Sequence, residues 1–211
     1  MGIDLDPADE SNRGWIQLYH HVASQDELAG KNVLEVSCGH GGGASWITRT
    51  MRPAHYTALD LNPDGIAFCQ RRHQLSGLVF QEGDAQQLPF ADESFDTVIN
   101  VEASHCYPDF PGFMREVARV LKPGGRFLYA DFRFHYDFCR WMTDIEESPL
   151  KRVRTRDITD EVTRGMRCNA AIYERLIREL APGWMVGGMM EFAGLPGSRL
   201  HTKMRTGKMI Y

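Results

Sequence analysis

Hydrophobic and polar positions along this chain fall into two alternating patterns. Short apolar runs, NVLEV (32–36), YTALDL (56–61), LVFQEGD (78–84), FDTVINV (95–101) and RFLYADF (126–132), read as strands. The intervals between them leave room for crossovers, and strands alternating with helices predict an α/β fold, a doubly wound parallel sheet with helices on both faces. Between the fourth and fifth runs, FPGFMREVARVLKPGG places Phe113, Val117, Val120 and Leu121 on one helical face and meets a stop at Lys122, Pro123, Gly124 and Gly125. Ahead of the first strand, SNRGWIQLYHHVAS predicts a short amphipathic helix. After the fifth, the alternation breaks: residues 133–175 are polar and aromatic, and a helix around 171–180 and the segment MVGGMMEFAGL follow. An insert there would overhang the carboxyl ends of the strands, where open α/β sheets bind ligands.

With 211 residues and 43% hydrophobic content, the chain can bury one sizeable core, so a single domain with decorations is expected. A net charge of -4 supplies no basic field for nucleic acid or anionic lipid. The basic run KRVRTR (151–156) is accordingly read as a solvated helix face. The start MGIDLDPADE carries acids where a signal peptide carries bases, Asp6 breaks the myristoylation pattern that Gly2 would begin, and no apolar run is long enough to cross a bilayer. Five cysteines, Cys38, Cys69, Cys106, Cys139 and Cys168, are spread without a C-x-x-C pair, which argues against a disulfide framework or a metal site. A cytoplasmic protein with reduced thiols is expected.

The chemistry concentrates in VLEVSCGHGGGA (33–44). Gly39, Gly41 and Ala44 satisfy G-x-G-x-x-A after a strand, with Asp60 about 20 residues on, which alone matches a dinucleotide fingerprint. Glu35 inside the first strand changes the picture. A charge there needs a ligand ammonium or a backbone group to receive it, and it would repel a pyrophosphate. A ligand with an amino acid at one end, a ribose and an adenine fits all the parts. S-adenosylmethionine is such a ligand: the glycines admit its methionine portion, Asp60 accepts from the ribose hydroxyls, and Asp84 meets the adenine amino group. The plain alternative for Asp60 and Asp84 is capping of the segments after their strands.

VLEVSCGHG, ALDLNP, GDAQQLPFADESFDTVINVEA and REVARVLKPGGRFLYAD resemble successive motifs of the class I S-adenosylmethionine-dependent methyltransferases, over about residues 30–132. LYHHVA, VSCGHGGGAS and NVEASHCYPDF are similar more closely to the phthiotriol and phenolphthiotriol dimycocerosate methyltransferases and related natural-product enzymes. The resemblance implies a Rossmann-like sheet, mostly parallel with an antiparallel last strand. It divides the chain into an N-terminal helix closing over the cofactor (1–29), an S-adenosylmethionine-binding core (30–132), a substrate-capping insert (133–175), and a C-terminal helix with final strands (176–211). It implies cofactor contacts from Tyr19, Glu35, Ser37, Cys38, Gly39, Gly41, Asp60, Leu61, Asp84, Ala85, Asn100 and Val101. Two features depart from the family. Ser37 stands where glycine is usual, and the chain stops at KMIY, near the start of the expected last strand.

Methyl transfer from a sulfonium is a direct displacement that needs alignment, exclusion of water and, for a hydroxyl nucleophile, a base; no metal is required. His105, in NVEASHCY beyond the fourth strand, is the candidate base, with Glu102 to orient it. The bland alternative is a histidine that packs its loop. Tyr19, His20 and His21 on the first helix are other candidates, though His20 and His21 point in different directions. His20, Phe134 and Tyr136, with His105, are the expected acceptor contacts, within an aromatic set that adds Phe132, His135, Phe138 and Trp141 and that reads equally as a packing face. Cys106 reads as a packed small hydrophobe.

The expected activity is methyl transfer to a hydroxyl of a small lipid, polyketide or other secondary metabolite, the partner being an apolar small molecule; homo-oligomers are left open. C- or N-methylation is the near alternative, because the cofactor motifs do not report the nucleophile. A nicotinamide-dependent oxidoreductase would leave Glu35 and Asp84 unexplained, and a noncatalytic binding module is a further alternative. Nucleic-acid methylation is disfavoured by charge and by NVEA standing where an N-P-P-Y tetrad would.

Overall fold

A computed structural model describes residues 3–211. Met1 and Gly2, where the myristoylation pattern would begin, lie outside the described residues. A 3-10 turn over Pro7–Asn12 leads into α1 (Arg13–Ala23), followed by β1 (Asn32–Val36), α2 (Gly42–Met51), β2 (His55–Asp60), α3 (Pro63–Arg72), β3 (Leu78–Glu82), β4 (Phe95–Val101), α4 (Phe110–Val120) and β5 (Leu121–Ala130). Then come β6 (Arg133–Phe134), α5 (His135–Glu146), α6 (Thr159–Leu180), α7 (Val186–Phe192), α8 (Arg199–Arg205) and β7 (Met209–Ile210).

By compactness the described chain divides into two units. One spans Tyr19–Asp131 and Met142–Val153; the other takes the described residues up to Leu18, Phe132–Trp141 and Arg154–Tyr211. The first holds a five-stranded sheet in the order β3-β2-β1-β4-β5, with every neighbouring pair parallel. β1 is central, so Val33, Leu34 and Val36 are fully buried, as a strand covered on both faces requires. From β1 the chain runs outward to β3 and returns to pair β4 on the other side of β1. Strand order therefore reverses at the carboxyl ends of β1 and β4, the crevice where such sheets bind ligands.

α4 shows how the sequence holds this sheet. Asp109 Oδ1 accepts from Gly112 N at 2.9 Å, and Pro111 sits in the first turn, where its missing N–H costs nothing. Phe113, Met114, Val117 and Val120 then bury one face, at about 1.5–3 kcal/mol for each large side chain. The helix ends one residue earlier than its apolar face predicts. Leu121 is extended and pairs with Phe95, since Pro123 blocks a further turn; a bulge over Lys122–Gly125 separates that pair from Arg126 opposite Thr97.

Three other expectations are corrected. The crossover from β3 to β4 has no helix: residues 83–94 run as loop with a bridge between Asp84 and Gln87, a stretch broken by Gly83 and Pro89. The late helix begins well before residue 171, as α6. KRVRTR is exposed, as expected of a solvated run, but it lies in irregular chain instead of on a helix face. In the second unit, β7 is antiparallel as expected; its partner is β6, through Arg133 opposite Ile210 and Phe134 opposite Met209, apart from the main sheet. Ile158 N donates to Tyr211 O at 3.1 Å and Tyr211 N to Thr159 Oγ1 at 2.9 Å, tying the last residue to the start of α6. No helix among the described residues is long and apolar enough to cross a membrane.

Candidate functional site

Ser37 leaves β1 at φ +62°, the left-handed region that glycine favours and that costs other residues about 1–2 kcal/mol. Its side chain offers a compensation that glycine lacks. Ser37 Oγ lies 2.5 Å from the Tyr107 hydroxyl, which also accepts from Asn100 Nδ2 at 2.9 Å. The same Asn100 amide donates to Val36 O at 2.9 Å, so one side chain links the ends of β1 and β4 across the switch point. Asn100 is fully buried, and its Oδ1 has no hydrogen-bond partner among the described residues. A buried acceptor left unpaired costs about 1–3 kcal/mol, so this atom calls for a donor from a ligand. Burial holds the Tyr107 proton well above the ordinary phenol range.

Glu35 is 1% exposed and receives two protein donors. Tyr19 donates to Oε1 and Tyr56 to Oε2, each at 2.7 Å. Burial raises its carboxyl above the usual range while the two hydroxyls pull it back down. The charge in β1 is thus explained first by the two tyrosines, one from α1 and one from β2. Tyr19 reaches it by lying flat on the start of α2, where a Cβ on Gly43 would come within 2.0 Å of the ring. Only glycine leaves that space.

Between Cys38 and Ala44 the loop turns at Gly41, φ +72°, where a Cβ would meet the Phe80 ring at 2.6 Å. Asp60 at the end of β2 holds the loop by accepting from Gly39 N at 2.8 Å through Oδ2, while Oδ1 accepts from Asn62 N at 3.0 Å. A carboxylate has about four acceptor positions, so Asp60 keeps capacity on each oxygen. Asp84 caps its own turn through Gln86 N at 2.8 Å, the plain role considered for it, and its side chain is otherwise exposed beside buried Ala85. Leu61 is 66% exposed next to Asp60, and Val101 is buried at the end of β4. Cys38 N donates to Leu59 O at 2.9 Å, and burial pushes its thiol up, far from a thiolate nucleophile.

His105 lies in the 3-10 turn Ser104–Cys106 after β4. Its Nδ1 is 2.7 Å from Asp131 Oδ1, and its backbone N donates to Oδ2 at 2.9 Å. Asp131, at the end of β5, has no exposed side-chain surface, whereas the His105 side chain is 28% exposed. An ionised carboxylate only accepts, so Nδ1 carries the proton and Nε2 keeps its lone pair. Asp131 thus makes the Nδ1 contact through which an orienting group would act, a residue that the sequence did not single out. Glu102 instead has φ +51°, and its N–H donates to Ala130 O at 2.8 Å. Two signals for Asp131 were available: a polar residue ending a buried strand, and the two-residue spacing Phe127, Tyr129, Asp131 that puts all three on one face. Tyr107 and Tyr56 carried no comparable signal, since isolated tyrosines read as packing.

Most of the anticipated residues gather at the carboxyl ends of β1, β2 and β4, with Tyr19 laid over the start of α2. His20 packs edge-on against the buried Trp46, ring centroids 5.9 Å apart. Phe134 and Tyr136 belong to the second unit, stacked on each other at 5.2 Å with Lys203 Nζ 4.6 Å from the Phe134 ring centre. Cys106 is exposed, contrary to the packed position expected of it.

Comparison with known proteins bears on this geometry. Residues 34–129 match a methyltransferase domain model. Over 211 residues the chain is 49% identical to the phthiotriol/phenolphthiotriol dimycocerosates methyltransferase of Mycobacterium leprae, spanning 100% of this chain and 78% of that protein. It is 50% identical to the fatty-acid O-methyltransferase of Mycolicibacterium smegmatis, over 100% of this chain and 76% of that one. In fold it is similar to the Haemonchus contortus phosphoethanolamine N-methyltransferase 2 solved with phosphomonomethylethanolamine and S-adenosylhomocysteine, with a TM-score of 0.74 and 17% identity over 93% of this chain and 51% of that one. The nicotinamide alternative has no support among these relatives. With two relatives at about half identity along its whole length and a sheet that reverses order beside a glycine loop, the chain belongs to the S-adenosylmethionine-dependent methyltransferases.

Proposed function

We propose that this enzyme transfers the methyl group to a hydroxyl of an apolar, lipid-like acceptor, with His105 Nε2 taking the hydroxyl proton. The observation that carries the reading is the contact of His105 Nδ1 with buried Asp131, 2.7 Å long, which puts the proton on Nδ1 and the basic lone pair on Nε2. The acceptor class comes from the relatives, one named for a phthiotriol and one for a fatty acid. These differ chemically. A carboxylic acid is already ionised at neutral pH and needs no base, whereas an alcohol does. A histidine oriented by a buried carboxylate therefore favours the alcohol. Retained C- and N-methyltransferase alternatives would put a carbon or an amine in its place.

Bound S-adenosylmethionine supplies an electrophilic methyl on sulfonium sulfur. The residues present fit this group: Asn100 Oδ1 is a buried acceptor suited to its ammonium, and Asp60 keeps acceptor capacity for the ribose hydroxyls. Gly39 would leave the loop backbone open to its amino-acid end, with Gly41, Ser37 and Cys38 beside it, while Leu61, Asp84, Ala85 and Val101 would border the nucleoside end. Glu35 and Tyr19 tie α1 to this end of the sheet, and an ionised Glu35 would add negative potential around the ammonium. Asp131 fixes the His105 ring and stabilises the imidazolium formed when the proton is taken, worth about 10²- to 10⁴-fold for general base catalysis. Acceptor recognition by His20, Phe134 and Tyr136, the four-part division of the chain and a cytoplasmic location rest on sequence alone.

The test is methyl transfer from radiolabelled S-adenosylmethionine to oleyl alcohol and to oleic acid. Label in the alcohol as an ether supports the reading. Label in the acid alone moves the assignment to carboxyl methylation, the second reading, which the fatty-acid relative favours.

A further inference from the structure

We infer that Ser104 and Tyr129 are positioning residues for the transfer, a hydrogen-bond relay that fixes Asp131 and through it the His105 ring; this rests on His105 being the proton acceptor. Ser104 Oγ donates to Asp131 Oδ2 at 2.7 Å and lies 2.5 Å from the Tyr129 hydroxyl. The direction of the relay follows from proton counting. A serine hydroxyl has one proton, and the carboxylate can only accept, so Ser104 gives its proton to Asp131 and Tyr129 gives its own to Ser104. Three donors then converge on one carboxylate: Ser104 Oγ and His105 N on Oδ2, and His105 Nδ1 on Oδ1.

The parts are held where this needs them. Ser104 is 1% exposed and Asp131 2%. Tyr129 shares its strand face with Phe127 and Asp131, and its ring stacks on Phe127 with centroids 5.2 Å apart and against Phe110 at 6.2 Å, so the hydroxyl has little freedom. A buried carboxylate that loses a donor is driven toward protonation, and with Oδ2 less firmly held it can turn about its last bond and take the imidazole with it. The relay opposes both. It spreads the charge of Asp131 over a polarised chain and pins Oδ2, which leaves Oδ1 facing Nδ1. Two hydroxyls that merely satisfied each other would contribute to stability and would not act through His105.

A double-substitution cycle tests the relay, with radiolabelled methyl transfer to oleyl alcohol as the rate. Tyr129→Phe removes one oxygen and keeps the ring. Its kcat is expected to fall about 3- to 10-fold, with KM for oleyl alcohol and the dissociation constant of S-adenosylhomocysteine within twofold of wild type. Ser104→Thr, which keeps the hydroxyl, is expected to retain most of the rate that Ser104→Ala loses; if Ser104→Ala does not fold, Tyr129→Phe carries the test alone. In a His105→Ala background, Tyr129→Phe is expected to cost nothing further. An equal fractional loss in both backgrounds, or full activity of Tyr129→Phe, overturns the relay while leaving a slowed His105→Ala as evidence for the base. Full activity of His105→Ala, or no transfer to oleyl alcohol at all, overturns the base and the relay with it.

Discussion

Ser37 stands where its family usually has glycine, and the backbone there keeps the glycine conformation, φ +62°. Two substitutions separate the strain from its compensation. Ser37→Ala keeps the strained backbone and loses the 2.5 Å contact with the Tyr107 hydroxyl, a loss of about 1 kcal/mol for a hydrogen bond in this setting. At about 2–4 °C per kcal/mol for a domain of this size, Tm falls by about 2–4 °C. Ser37→Gly loses the same contact but also relieves about 1–2 kcal/mol of left-handed strain, against about 0.5–1 kcal/mol of added chain entropy in the unfolded state. Its Tm is therefore expected to match or exceed that of Ser37→Ala, by up to about 6 °C, and to lie close to wild type. Thermal unfolding followed by circular dichroism without ligand reads the difference. A glycine variant melting about 1–4 °C below the alanine variant, the entropy cost alone, would show that no strain is stored at this turn, and an alanine variant equal to wild type would show that the Tyr107 contact adds nothing.

Two further outcomes follow from the same residues. Because burial raises the Glu35 carboxyl, its ionisation weakens the folded state as pH rises from the ordinary carboxylate range through the raised folded value, and the protonated form is favoured below it. Glu35→Gln removes that dependence, so the Tm difference, variant minus wild type, should grow as pH rises across that window and then level off; a difference that shrinks reverses the sign of the reasoning. Saturating S-adenosylhomocysteine at a hundred times its dissociation constant stabilises by about 2.7 kcal/mol, and Asp60→Asn should lose most of that shift while NADP gives none to either form; an undiminished shift in Asp60→Asn would remove Asp60 from cofactor binding.

How much of this was legible in the sequence depends on the range of the forces involved. The strands were, because Val33, Leu34 and Val36 or Val98 and Ile99 are apolar runs whose burial follows from local pattern. The end of α4 was misjudged by one residue, since the pairing of Leu121 with Phe95 is a tertiary choice that periodicity does not encode. The long start of α6 was missed although Val162, Met166, Tyr173 and Ile177 recur at helical spacing, because the charged residues around them made the segment read as an irregular insert. In the site, glycine spacing and acids after strands could be read directly. The tyrosine pair on Glu35 and the Asp131 partner of His105 could not, since each joins residues 16 to 26 positions apart through side chains alone. Glu102 was the nearer acid along the chain, whereas the contact with His105 Nδ1 comes from Asp131 at the end of the neighbouring strand.

The central claim is that His105, held by Asp131, removes the proton of an acceptor hydroxyl, and one comparison tests it most directly. Methyl transfer to oleyl alcohol and to oleic acid is measured for wild type and His105→Ala, with binding of S-adenosylhomocysteine as the control for an intact cofactor site. The account predicts that the variant binds the product as wild type does and loses about 10²-fold or more in kcat toward the alcohol. Any transfer to the acid, which carries no proton to remove, should survive. A variant that methylates the alcohol within threefold of the wild-type rate would contradict the account.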